Sequence, residues 1–287
     1  MKTAISFILL FFLFISLILA HDTVYTTSAE MIFELKDKEI AENIFRKFAN
    51  GKNMEMGELM IQVGGCFLGN NYVPHTLEFV PEKLVVNLRD FDCTTFAESV
   101  LALSRAIKSE NPSFEQFTKE LQFMRYHNGK IDGYPSRIHY FSDWIYENDT
   151  KKLIKDVSKE IDKTPFRRLV NYMSSHPEFY FQLRDSDFNH EIAKQEMRIN
   201  MRDIFYILKE KLAERENLLK DGDIAGITTM IEGLDISHVA ILQRVGERIH
   251  ILHASQTAKK VILSEETLEE YLKNSKSATG IMVARPK

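Results

Sequence analysis

The chain has 287 residues, 44% of them hydrophobic and 27% charged, with a net charge of −4. That is enough for one large domain or two small ones with a substantial core. Its 37 basic and 41 acidic residues are interleaved without a long basic patch, which argues against a nucleic-acid partner.

The N-terminus reads as an export signal. Lys2 supplies a positive start, Ala4 to Leu19 is almost wholly apolar, and Ala20 closes the run before His21-Asp22. This is the pattern of a secretory signal peptide cleaved near Ala20. The run is at the short end for spanning a bilayer and nothing later repeats it, so we expect a periplasmic or secreted protein without stable membrane insertion. No cysteine follows the run to accept a lipid. The chain's two cysteines, Cys66 and Cys93, could pair in an oxidising compartment, and a free thiol at either position competes with that alternative.

From Ser28 to about Ala49, Met31, Ile32, Leu35, Ile40, Ile44 and Phe48 recur at roughly helical spacing. Gly51 stops the pattern, and Met54 to Phe67 is a second apolar-rich segment. A short extended run, Leu84 to Leu88, precedes a helix expected from Asp92-Cys93 to about Ile107. Cys93, Phe96, Ala97, Val100, Leu101 and Ser104 share one of its faces, and Asp92 suits the N-cap. Ser113 with Gln116 three residues later opens another helix, reaching about Met124. Arg125 to Trp144 holds too many turn formers for a long helix. Helical spacing resumes over Thr150 to Ile161, Pro165 to Ser174 and His190 to Glu216.

Beyond Gly222 the pattern changes to short β-rich runs at 223–228, 236–243, 248–254, 260–263 and 280–285, with a last helix over 264–274. Helices first and strands last give an α+β fold, with helices packed on a small antiparallel sheet. We find no internal repeat or low-complexity linker, so residues 21–287 read as one domain, helical over about 28–216 and sheet-forming over about 222–287.

Cys93 lies on the apolar face of its own helix, where a cysteine is commonly inert core. It also occupies the first turn, where unpaired N–H groups and the helix dipole favour a thiolate. Ionised Asp92 opposes that effect unless its charge is taken up in capping. Composition alone leaves the two readings even. Cys66, within Val63-Gly-Gly-Cys-Phe-Leu68, has no nearby cation in sequence and reads as a packed hydrophobe.

A thiol nucleophile needs a base, and the strands after residue 235 offer one. A turn centred on Val245-Gly246 would place His238 directly opposite His253, their Cβ atoms about 5 Å apart on one face, with His250 on the other. Nucleophile, base and orienting group then follow the logic of a catalytic triad. The Cys and His spacings match no zinc motif, so neither metal nor cofactor is expected.

Several blocks together resemble a known family: Asn87-Leu-Arg-Asp-Phe-Asp-Cys-Thr-Thr-Phe-Ala-Glu98, Arg125-Tyr126, Gly133-Tyr-Pro-Ser-Arg-Ile-His-Tyr-Phe-Ser-Asp-Trp144, Gly222-Asp-Ile224, Leu234-Asp-Ile-Ser-His-Val239 and Leu252-His-Ala-Ser255. They are similar to the bacterial N-acetylmuramoyl-L-alanine amidase-like family, within the papain-like NlpC superfamily of cell-wall hydrolases. The likeness runs from about residue 55 to the end; Gly64-Gly65-Cys66 is less typical. It implies Cys93 as nucleophile, His238 as base and His253 as the third polar group. It also implies roles near the nucleophile for Asp92 and Tyr72, and substrate binding by Arg137 and His139, for both of which tying a loop together is the alternative role. The implied substrate is peptidoglycan or a soluble muropeptide, cut between N-acetylmuramic acid and L-alanine. Alternatives within the same fold are an endopeptidase of the stem peptide and an inactive wall-binding protein.

Overall fold

The structure is a computed structural model and describes residues 31–287. The expected signal peptide and its cleavage site lie outside the described residues. In chain order the helices are α1 (Leu35–Lys47), α2 (Met56–Gly65), α3 (Cys93–Lys108), α4 (Phe114–Arg125), α5 (Phe141–Thr150), α6 (Ser158–Ile161), α7 (Tyr172–Ser175), α8 (Ser186–Asn200), α9 (Leu212–Arg215) and α10 (Leu268–Asn274). The strands are β1 (Met31–Ile32), β2 (Asn71–Tyr72), β3 (Leu84–Val85), β4 (Asp90–Phe91), β5 (Ile154–Asp156), β6 (Thr164–Pro165), β7 (Phe205–Leu208), β8 (Ile224–Thr229), β9 (Ile236–Val245), β10 (Arg248–Ser255), β11 (Lys260–Thr267) and β12 (Ala278–Pro286).

The α+β expectation holds, with a wider sheet than expected. Ten strands run in the order β4-β2-β11-β10-β9-β8-β12-β7-β6, with β5 also on β12, while β1 and β3 pair separately. Five of the ten come from the half read as helical. Residues 150–161 and 165–174, expected as helices, instead form turns, β5, β6 and the short α6 and α7. Leu153, Ile154, Val157 and Ile161 are buried as their spacing implied. Pairing of β5 with Ala284 to Pro286, and of Pro165 with Phe205, takes those segments out of the helix. The segment 190–216 likewise splits into α8, β7 and α9.

Both faces of the sheet are buried, and side chains alternate between them as strand geometry requires. Val239 and Ile241 pack with α3 residues Phe96, Ala97 and Val100, whereas Ala240 and Leu242 pack with Leu268 and Leu272 of α10. The helix carrying Cys93 therefore lies across one face of the central strands. No helix among the described residues is long and apolar enough to cross a membrane.

A buried ion pair fixes α3 against its neighbours. Arg125 Nε donates to Glu98 Oε2 at 2.7 Å and Arg125 Nη1 to the Val85 carbonyl at 2.7 Å, while Trp144 Nε1 donates to Glu98 Oε1 at 3.1 Å. Removing one partner strands the other charge in the core, which costs about 3–5 kcal/mol. Glu98→Ala is expected to lose that much in urea unfolding; a loss below about 1 kcal/mol would show that water reaches Arg125.

Candidate active site

Cys93 is the first residue of α3, because Asp92 ends the preceding extended segment and caps the helix. Asp92 Oδ1 accepts the Thr95 N–H at 2.8 Å, and the Thr95 hydroxyl accepts the Asp92 N–H at 2.9 Å. The cap therefore occupies Asp92, as its place in the sequence suggests. It also exposes the Cys93 end of the helix, where backbone N–H groups lack carbonyl partners within the helix.

His238 and His253 meet, although not in the expected register. The β9–β10 turn is Gly246-Glu247, with Gly246 at φ 61°, a conformation glycine adopts without strain. Arg248 consequently lies opposite Val245, and Leu252 opposite Ile241. The direct pairing expected from a turn at Val245-Gly246 is thus corrected to a diagonal one, a slide of two residues that keeps both side chains on one face. His238 Nε2 and His253 Nδ1 are 2.6 Å apart, with ring planes at 87°. A β-bulge assists: Ile236 pairs with Thr228 and His238 with Ile227, so Ser237 is an extra residue that re-aims His238.

One hydrogen must lie between those nitrogens, and its owner decides whether His238 can act as a base. If His238 Nε2–H donates to His253 Nδ1, the lone pair of His238 Nδ1 is free; the reverse assignment leaves Nδ1 protonated. The working tautomer therefore has His253 accepting at Nδ1.

Cys93 and His238 line the same cavity of about 200 Å³, together with Thr94, Tyr134, His139, Tyr180 and Asp235. His238 and His253 both line a larger groove of about 790 Å³ with Tyr271, Ser255 and Lys260. His238 thus stands between the two. Tyr271 packs on both imidazoles, its ring centre 6.1 Å from His238 and 5.9 Å from His253. Nothing in the spacing around Tyr271 marks it, because only the return of α10 over β10 brings it to the site.

Burial sets the protonation states. It pushes the Cys93 thiol up to about 11, with Asp92 adding to the rise, against hydrogen bonds from the Val239 N–H and Thr94. Burial also lowers His238 to about 3, helped by repulsion from His253, and lowers His253 to about 4. The resting pair is therefore a thiol beside a neutral imidazole. The helix-start thiolate suggested by sequence is outweighed by desolvation. In a Cys66→Ser background, alkylation of Cys93 by iodoacetamide should be slow at pH 8, where about one thiol in a thousand is ionised, and accelerate towards pH 11. A rate plateau below pH 9 would refute this state.

The lowered imidazoles also bear on stability. An unfolded chain binds protons at both histidines below about pH 6.5, whereas the folded chain does so only near 4 and 3. Unfolding thus takes up protons in that window, so stability falls as pH drops from about 6.5 towards 4 and is unaffected by these groups above it. Melting temperatures at pH 7 and pH 5 should show the drop, and His253→Leu should flatten it.

The remaining expected residues are placed unequally. Tyr72, on β2 opposite Phe91, is close enough to Cys93 and Asp92 that their charges add to the burial pushing its hydroxyl up to about 12. His139 lines the Cys93 cavity; its Nε2–H donates to the Tyr134 carbonyl at 2.9 Å, and burial, then the charge of Arg137, hold it neutral. Arg137 sits behind the wall, its Nη2 2.8 Å from Glu78 Oε1 and its Nε 3.2 Å from Glu82 Oε1. It positions Glu78, which does line the cavity. Cys66 and Cys93 are both free, and Cys66 has Lys47 Nζ 3.2 Å from its sulfur, a cation that sequence distance concealed. Among the described residues no three His, Cys, Asp or Glu side chains converge as a metal-ligand set.

A model of the family described as N-acetylmuramoyl-L-alanine amidase-like matches residues 62–281. A solved N-acetylmuramoyl-L-alanine amidase from Bacteroides uniformis is 39% identical, with a TM-score of 0.77 over 81% of this chain and 99% of that one. A Bacteroides fragilis structure carrying a provisional xylanase name is 37% identical, with a TM-score of 0.74 over 78% and 99%. A Legionella pneumophila protein, 21% identical with a TM-score of 0.68 over 88% and 95%, shares the fold. Comparison with curated proteins finds no significant match.

Proposed function

The chain belongs to the N-acetylmuramoyl-L-alanine amidase-like family, and from that premise we propose that it is a cysteine amidase cutting between N-acetylmuramic acid and the first L-alanine of peptidoglycan or its soluble fragments. The observation that carries the mechanism is the shared cavity of Cys93 and His238, with His238 Nε2 held by His253 at 2.6 Å. A helix-borne cysteine beside a histidine on antiparallel strands also supports placement in the papain-like NlpC superfamily. A substrate in the wall agrees with the expected export to the periplasm or beyond.

His238 Nδ1 takes the Cys93 proton as sulfur attacks the lactyl carbonyl, so the thiolate forms only as it is consumed. The N–H of Cys93 at the helix start is placed to donate to the resulting oxyanion. The tetrahedral intermediate collapses to a thioester as His238 gives its proton to the departing alanine nitrogen. Water, deprotonated by His238, then attacks the thioester, and the proton returns to sulfur as the acid leaves. Asp92 acts through the helix cap and through its charge on the thiol, Tyr72 stands near Cys93, and His139 lines the cavity.

Mass spectrometry of purified muropeptides after incubation with the protein tests this. The expected products are a muramyl sugar with a free lactyl acid and a peptide beginning with L-alanine. Sugar that still carries alanine would instead identify an endopeptidase of the stem peptide.

A further inference from the structure

The imidazole pair is enclosed from two sides. His238 continues the Ala240–Leu242 row on β9 and His253 the Ile249–Ile251 row on β10, so both stand on the face where Leu268 and Leu272 of α10 pack. The β9–β10 ladder ends where Ile241 meets Leu252, and beyond that end the Val239 N–H reaches the Cys93 sulfur. Sulfur therefore approaches His238 from the α3 side, and α10 closes the other.

The hydrogen bond between the rings does not hold them by itself. The 2.6 Å contact ties one nitrogen of His238 to one of His253 and leaves both planes free to swing about it. A histidine ring also turns about its last bond over a broad, roughly two-fold profile, and a half-turn exchanges nitrogen for carbon within almost the same outline. That half-turn would carry the free lone pair of His238 away from Cys93.

Tyr271 supplies the missing constraint. Its ring lies at 28° to His238 and 83° to His253, which are themselves at 87° to each other. One plane thus stacks on the first imidazole and meets the second edge to face, the two arrangements that aromatic rings favour. The helix holds that plane still: Leu268 and Leu272 are buried, and Thr267 and Glu270 cap α10 reciprocally. Burial and then the charge of Cys93 push the Tyr271 hydroxyl up, so the ring lies near the sulfur as well.

We infer that Tyr271 is a positioning residue of this site, whose ring plane fixes the orientation of both imidazoles and so keeps the free nitrogen of His238 turned to Cys93. It acts through His238 and takes no proton itself. Its value to catalysis rests on the amidase reading, whereas its hold on the rings does not.

Nitrogen-15 spectra of the histidine-labelled full chain at pH 7, without substrate, test that hold. Wild type should show His238 and His253 both as the Nε2–H tautomer, and Tyr271→Phe, which keeps the plane, should match it. Tyr271→Leu and Tyr271→Met keep apolar bulk without a plane, and in both His238 should exchange between its two tautomers. On muropeptides these two variants should lower kcat about 30-fold with KM within about threefold, and Tyr271→Phe should stay within about threefold of wild type in both. A His238 tautomer unchanged in a folded Leu or Met variant would overturn the inference. So would a loss confined to KM, which would make Tyr271 a substrate contact. If wild type cleaves no muropeptide, the amidase reading fails by itself, and the spectra still decide what Tyr271 does.

Discussion

Cys93→Ala is expected to lower kcat/KM on muropeptides by at least about 10⁴-fold, because no other thiol lines the small cavity to carry the acyl intermediate. Folding should hardly change. Alanine keeps the Cβ, favours the first turn of a helix, and leaves the Asp92–Thr95 cap intact. Cys93→Ser should also lose about 10³-fold or more, since a hydroxyl is harder to deprotonate by an imidazole that burial has already made a weak base. Matched melting temperatures with both activities lost would locate the defect in chemistry. An alanine variant within tenfold of wild type would remove the nucleophile from the mechanism.

His238→Gln should cost about 10³–10⁴-fold, nearly as much as loss of the sulfur, because the two act as a unit and their effects do not add. The double variant should therefore be little worse than either single one. His253 is different in kind: it holds the tautomer of His238 and takes no proton from substrate. His253→Asn, whose amide oxygen can still accept from His238 Nε2–H, should retain more activity than His253→Leu, which leaves that donor without a partner. The pH dependence supplies an independent reading. Since His238 is lowered to about 3, kcat/KM should not fall with an acid limb near 6.5, and should decline only well below pH 5. A limb centred near 6.5 would mean that the imidazole pair is solvated in the free enzyme.

Much of this site was legible because its determinants are local. Asp92 before Cys93 is a cap whatever surrounds it, and Ser113 with Gln116 likewise opens α4, where Ser113 Oγ accepts the Gln116 N–H at 3.1 Å. The histidines met despite a misplaced turn, because a slide of two residues preserves the face of a strand. What failed depended on distant partners. Ile154 and Val157 are spaced as in a helix, yet β12 was waiting to pair with that segment. Burial was read correctly there and the backbone was not. The protonation of Cys93 escaped for the same reason: its helix position is local, but the surroundings that desolvate it come from β9 and α10. Tyr271 had no local signal, since its significance lies in what it faces.

The place of β12 in the sheet has a bearing on how the two parts of the fold are held together. This strand, residues 278–286, lies between β8 and β7, although it follows both in the chain. Strands β8 to β11, which carry both histidines, cannot be joined to β7 and β6 until it arrives. The packing of α3 on β9 brings Cys93 and His238 together directly, and β12 ties that unit to the segments that carry β5 and β7.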